Sequence, residues 1–130
     1  MRAFEEGEET LSLFLPDGTK LSLYHVKIEV QRNENTILGY TLHGRLNFED
    51  AGNLRATGIF PEIFLERRYP ASNLELEISV EPTEELLARL NEKNIPDPEI
   101  FLKKEESQNT PFRKIENYTL NYWKVHEYHF

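Results

Sequence analysis

From Lys20 to Phe48 the chain alternates apolar and polar residues with the period of a β-strand, interrupted once by a short polar stretch. Tyr24, Val26, Ile28 and Val30 alternate with His25, Lys27, Glu29 and Gln31. Leu38, Tyr40, Leu42, Leu46 and Phe48 then fall on even numbers, with Gly39, Thr41, His43, Arg45 and Asn47 between them. Arg32-Asn33-Glu34-Asn35 supplies a turn, because asparagine tolerates left-handed backbone and bonds to its own main chain. The pattern predicts one long β-hairpin. Opposed residues share a face, so joining the two even-numbered sets requires paired numbers with an even sum. A turn centred on Glu34 sets Val30 against Leu38, Ile28 against Tyr40, Val26 against Leu42 and His25 against His43; a slip by two residues keeps the faces and moves His25 opposite Thr41 or Arg45.

The flanking segments extend this sheet. Leu11, Leu13 and Leu15 share one face, and Pro16-Asp17-Gly18 has the residues of a tight turn. Leu21 and Leu23 are odd-numbered, whereas the apolar set is even from Tyr24 onward. A switch of parity inside one strand means a bulge or burial on both faces, and either bends the strand. Downstream, Glu49 to Asn53 reads as a turn, Leu54 to Phe60 as a strand that Pro61 ends or places at an edge, and 62–69 as either a bent strand or an irregular crossing. Leu74, Leu76, Ile78 and Val80 alternate cleanly with Glu75, Glu77, Ser79 and Glu81. A helix is predicted over 83–93, with Thr83 as N-cap, Glu84 and Glu85 in the first turn, Leu86, Leu87 and Leu90 on one face, and Asn94 or the Ile95-Pro96 junction as its stop. Asp97-Pro98 would cap a short second helix over 98–105, unless Ile100 to Leu102 extends as a strand. After a polar connection at 106–111, residues 112–130 read as a terminal strand with Tyr118, Leu120 and Tyr122 on the core side and Trp123 on the other. The fold expected is a β-rich α+β domain, either a curved antiparallel sheet or a barrel-like β domain, formed by residues 10–130 behind an acidic, flexible N-terminus at 1–9.

Composition narrows the function classes. At 130 residues the chain has the size of one domain. Its formal net charge of −8 opposes nucleic-acid phosphates and anionic membrane surfaces and favours a basic partner. The basic pairs Arg67-Arg68, Lys103-Lys104 and Arg113-Lys114 read as solvated surface. Cysteine is absent, which removes disulfides, thiolate catalysis and cysteine metal sites. No apolar run resembles a leader or a membrane span, so a cytoplasmic location is the expectation.

No catalytic motif stands out. There is no Gly-x-Ser-x-Gly elbow and no phosphate loop, and the scattered glycines fit bulges and bends. His25, His43, His126 and His129 are the candidate metal ligands or bases, but their spacing converges on nothing in the sequence, and neither metal nor cofactor is expected. Glu75, Glu77, Glu81, Glu84 and Glu85 form the densest group of carboxylates, a local negative field suited to a basic protein. Among the clustered aromatics of the C-terminal segment, Trp123, Tyr128 and Phe130 are the candidates for a partner or self-association surface. The preferred expectation is a small non-catalytic protein-binding domain of inhibitor, immunity or adaptor type, acting through Glu75, Glu77, Glu81, Glu84, Glu85 and Trp123. The alternatives are a curved β domain holding a small apolar ligand between sheet and helix, and an enzyme using His25 and His43.

Overall fold

The computed structural model of the chain describes residues 9–58, 74–95, 97–104 and 110–127, without the side chains of Phe48, Leu74, Glu75, Val125, His126 and Glu127. Strands β1 (Thr10–Phe14), β2 (Lys20–Asn33), β3 (Thr36–Asn47), β4 (Leu74–Pro82) and β5 (Tyr118–Glu127) form a sheet in the order β1-β2-β3-β4-β5, with every neighbour antiparallel. The sheet is curved and does not close into a barrel, and among the described residues three helices accompany it: α1 (Phe48–Arg55), α2 (Glu84–Glu92) and α3 (Pro98–Lys104). The β-rich α+β class read from the alternation is the one observed.

Local chemistry explains the ends of these elements. At the β1–β2 turn the Gly18 N–H donates to the Leu15 carbonyl (2.9 Å), Gly18 takes φ 93°, and Asp17 Oδ1 accepts from the Thr19 N–H (2.9 Å). The Thr83 hydroxyl caps α2 by accepting from the Leu86 N–H (3.3 Å). At its other end Asn94 takes φ 56°, its N–H reaches the Asn91 carbonyl (3.1 Å) and the Ile95 N–H the Leu90 carbonyl (3.4 Å), the paired bonds of a Schellman stop. Asp97 Oδ1 accepts from the Glu99 N–H at the start of α3 (3.1 Å).

Three bulges correct the expected register. Tyr24 pairs with Arg45 and Lys27 with His43, so His25 and Val26 together oppose Gly44; His25 takes φ 57°. The parity switch expected from Leu23-Tyr24 is therefore a bulge, and it lies at His25, leaving Tyr24 on the outer face and 41 % exposed. The long hairpin uses the slipped register, with Val30 opposite Tyr40 and Ile28 opposite Leu42. Its turn is the two residues Glu34 and Asn35, and the left-handed one is Glu34 (φ 57°), not an asparagine. Leu38 is the extra residue of a second bulge, so Ile37 enters the core and Leu38 is exposed. A third bulge at Asn121 separates the pairs Val80–Leu120 and Ser79–Tyr122. Beyond it the faces of β5 exchange: Trp123 packs against the core and Tyr122 points outward.

Residues 48–55, expected as a turn running into a strand, are helical. The Asn47 side chain accepts from the Asp50 N–H (2.7 Å), Glu49 and Asp50 occupy the first turn, and Ala51 and Leu54 are spaced to bury one face. The terminal strand is also shorter than expected, because two 3-10 turns, Pro111–Arg113 and Ile115–Asn117, precede β5. They run beside β1, where Phe14 bridges Lys114 and Arg113 Nη1 donates to the Ser12 carbonyl (2.9 Å). The approach to β5 thus covers part of the opposite edge of the sheet. The expected strand end at 59–61, the segment 62–69 with Arg67-Arg68, the connection at 105–109 and the terminal Tyr128 to Phe130 lie outside the described residues.

One apolar cluster joins these parts. Leu11, Leu13, Leu21, Leu23, Tyr40, Leu42, Leu46, Leu76, Ile78 and Val80 project from the sheet's inner face onto Ala51 and Leu54 of α1, Leu86 and Leu90 of α2, Leu102 of α3, and Phe112 and Ile115. All three helices therefore cover one face of the sheet. Among the described residues no helix is long and apolar enough to cross a membrane.

Candidate functional site

With the helices on the inner face, β2 to β5 present their outward side chains to solvent. The register arranges these in rows. Tyr24, Arg45, Glu77 and Lys124 are successive cross-strand partners, and the next row is Lys27, His43, Ser79 and Tyr122. At the His25 bulge the rows open into a groove of about 360 Å³ lined by His25, Lys27, Glu29, His43, Gly44, Arg45 and Glu77. On the core side of the same place a Cβ at Gly44 would meet Leu23 Cβ and Cδ2 at 3.1 Å, so Leu23 packs close on β3 where β3 carries no side chain.

Inside the groove His43 links three strands. Its Nε2 lies 3.2 Å from Glu29 Oε1 and its Nδ1 2.6 Å from Ser79 Oγ. A carboxylate only accepts, so Nε2 carries the hydrogen and Nδ1 of the neutral ring accepts from the Ser79 hydroxyl. The His43 hydrogen bond, followed by the charge of Lys27 (3.5 Å), holds the Glu29 carboxyl below its ordinary range. One of the registers open to the sequence sets His25 opposite His43; the structure puts Lys27 there and brings both histidines to one groove instead.

Ser79, His43 and Glu29 have the connectivity of a nucleophile, a base and an orienting acid. Their setting does not equip them for acyl transfer. Ser79 is 6 % exposed and does not line the groove, and β4 is paired on both sides, so its backbone N–H groups serve the ladders instead of an oxyanion. The three residues clamp β2, β3 and β4 together. Sequence reading had His43 as a candidate but missed Glu29 and Ser79, because their union with it depends on register; the one available signal was a serine in a row of outward glutamates.

The carboxylates expected to form one acidic face are divided. Glu77 is half-buried in the groove between Arg45 and Lys124, whereas Glu81 at the end of β4 and Glu84 and Glu85 at the start of α2 are exposed. The Glu75 side chain is outside the described set. Tyr122, 49 % exposed, stands diagonally beside Glu81 on the same face, a place the expected faces of β5 had given to Trp123. Of the basic pairs, Lys103 bridges Glu9 and Glu99, and Arg113 is buried. The hydrogen bond that Lys103 donates to Glu9, ahead of the one it donates to Glu99, raises its ammonium above the ordinary range.

Among the described residues no group of three or more His, Asp or Glu is placed to hold a metal ion. Two further grooves among the described residues are open to solvent as well: one of about 320 Å³ by Pro16, Thr57 and Tyr118, and one of about 300 Å³ by Arg32, Asn35 and Asn94. Comparison with family models, curated proteins and solved structures found no match for this chain.

Proposed function

We propose that the chain is a cytoplasmic, non-catalytic binding domain of inhibitor, immunity or adaptor type that engages a basic protein. The observation that carries this reading is the corner where β4 enters α2: Glu81, Glu84 and Glu85 are all exposed there, and the exposed Tyr122 stands diagonally beside Glu81. A tyrosine offers apolar area with a polar tip at little entropic cost, and the exposed carboxylates of this corner, with the chain's net charge of −8, steer a positive partner toward it. Glu77 contributes less, because Arg45 and Lys124 flank it.

The test is affinity capture from a cell extract with the wild type and with a Glu81→Lys, Glu84→Lys, Glu85→Lys variant, each washed at low and high salt. A basic protein held by the wild type, released by salt and missing from the variant is the expected result. Capture of the same proteins by both baits would overturn the reading. Circular dichroism confirms that the variant, altered only at exposed positions, keeps its fold.

A further inference from the structure

The groove at the His25 bulge has a chemistry opposite to that corner. It is lined by Lys27 and Arg45 as cations, Glu29 and Glu77 as anions, and two histidines. With both imidazoles neutral the formal charges of these lining groups cancel; with both protonated the groove carries two net positive charges. Across the pH range in which imidazole titrates, its balance therefore runs from neutral to positive and never becomes negative.

Two further features fit this direction. Protonation of His43 breaks neither of its hydrogen bonds: Nε2 still donates to Glu29, while Nδ1 becomes a donor and the Ser79 hydroxyl turns to accept. His25 holds a left-handed backbone (φ 57°) at a bulge position that glycine occupies without strain, and its imidazole is exposed at the groove. A strained residue where a simpler one would fold better points to a use for its side chain.

We propose that this groove is an oxyanion-binding site whose affinity rises as the pH falls. Lys27, 70 % exposed in its side chain, and His25 supply the accessible donors, with Arg45 behind them. The neighbouring charges preserve the sign. Lys124 on β5 adds a cation beyond Glu77, and Glu9, whose carbonyl accepts from the Val26 N–H (3.4 Å) at the bulge, gives its carboxylate to Lys103. This site is independent of the corner at Glu81, Glu84 and Glu85.

Inorganic sulfate is the probe, since its charge is constant over the pH range used. Amide and imidazole NMR shifts are followed during sulfate titrations at about pH 5.5 and about pH 7.5, with sodium chloride at matched ionic strength as the control. The expected result is saturable movement of residues 24–29 and 43–45, with affinity about tenfold or more higher at the lower pH. His25→Gly should keep or raise Tm, since it relieves the backbone, while weakening sulfate binding severalfold at the lower pH. The proposal is overturned by equal shifts with chloride, which show an ionic-strength effect only, by equal affinity at the two pH values, or by wild-type binding in His25→Gly.

Discussion

Tyr118 carries two hydrogen bonds with one hydroxyl. Its O–H donates to the Phe112 carbonyl (2.8 Å), so at the Tyr40–Tyr118 contact (2.8 Å) Tyr40 is the donor. Both rings are buried and meet edge to face, with centroids 6.2 Å apart. The two hydroxyls are therefore not equivalent. Tyr118→Phe leaves the Phe112 carbonyl without its donor and the Tyr40 hydroxyl without its acceptor, and should cost about 2–3 kcal/mol. Tyr40→Phe leaves the Tyr118–Phe112 bond in place and should cost only about 0.5–1.5 kcal/mol. Urea denaturation of both variants checks the order; equal losses would refute the assigned direction of donation.

At the level of elements, Asn91 hydrogen-bonds α2 to β3, beside the apolar packing of Leu86 and Leu90. Asn91 accepts from the Ile37 N–H (2.9 Å) and donates to the Ile37 carbonyl (3.0 Å), occupying both backbone groups as a neighbouring strand would. Ile37 stands beside the Leu38 bulge, where β3 departs from its regular pairing with β2. Asn91→Ala should cost about 1–3 kcal/mol, because both backbone groups then lose their partner in a part-buried place. Asn91→Asp keeps the acceptor but sets a carboxylate oxygen against the Ile37 carbonyl, so it should not restore the loss; denaturation midpoints decide. This clamp was not legible in the sequence, where Asn91 reads as a polar position near a helix end. The helix itself was legible, since Thr83, the two glutamates and the leucine spacing all lie within one short window. The α1 helix carried similar signals in Asn47, Glu49, Asp50, Ala51 and Leu54, but Gly52 and Asn53 resemble a turn when read alone.

For the whole molecule the tyrosine pair sets an alkaline limit. Burial, the largest cause, pushes the Tyr40 hydroxyl up to about 12 and that of Tyr118 well above its ordinary value. A group that holds its proton more tightly when folded contributes stability that is complete below the unfolded value and is lost as pH rises through the folded one. Folding stability should thus begin to fall above about pH 10 and, by about pH 12, lose about 2 kcal/mol or more from Tyr40 alone. Spectrophotometric titration should find Tyr40 and Tyr118, both buried, ionising only as the protein unfolds. Ionisation of all the tyrosines in a single step below the unfolding transition would contradict this.

The sequence by itself determined the elements whose signals are local. Alternation marked β2, β3 and β4, the Pro16-Asp17-Gly18 turn joined the first strands, and Thr83 and Asn94 bounded α2. It also located the bend near Tyr24, because a parity switch is visible without any partner. Tertiary structure decided what depends on pairing. Strand periodicity repeats every two residues, so it cannot distinguish registers that differ by two, and it cannot place an unpaired residue such as Leu38 or Asn121. Those bulges chose Ile37 over Leu38 for the core, turned Trp123 inward and Tyr122 outward, and separated Glu77 from the exposed carboxylates. The groove at the His25 bulge holds His25, Glu29 and His43 together. Face is a property of the residue's own strand, whereas neighbours across the sheet exist only once the strands have paired.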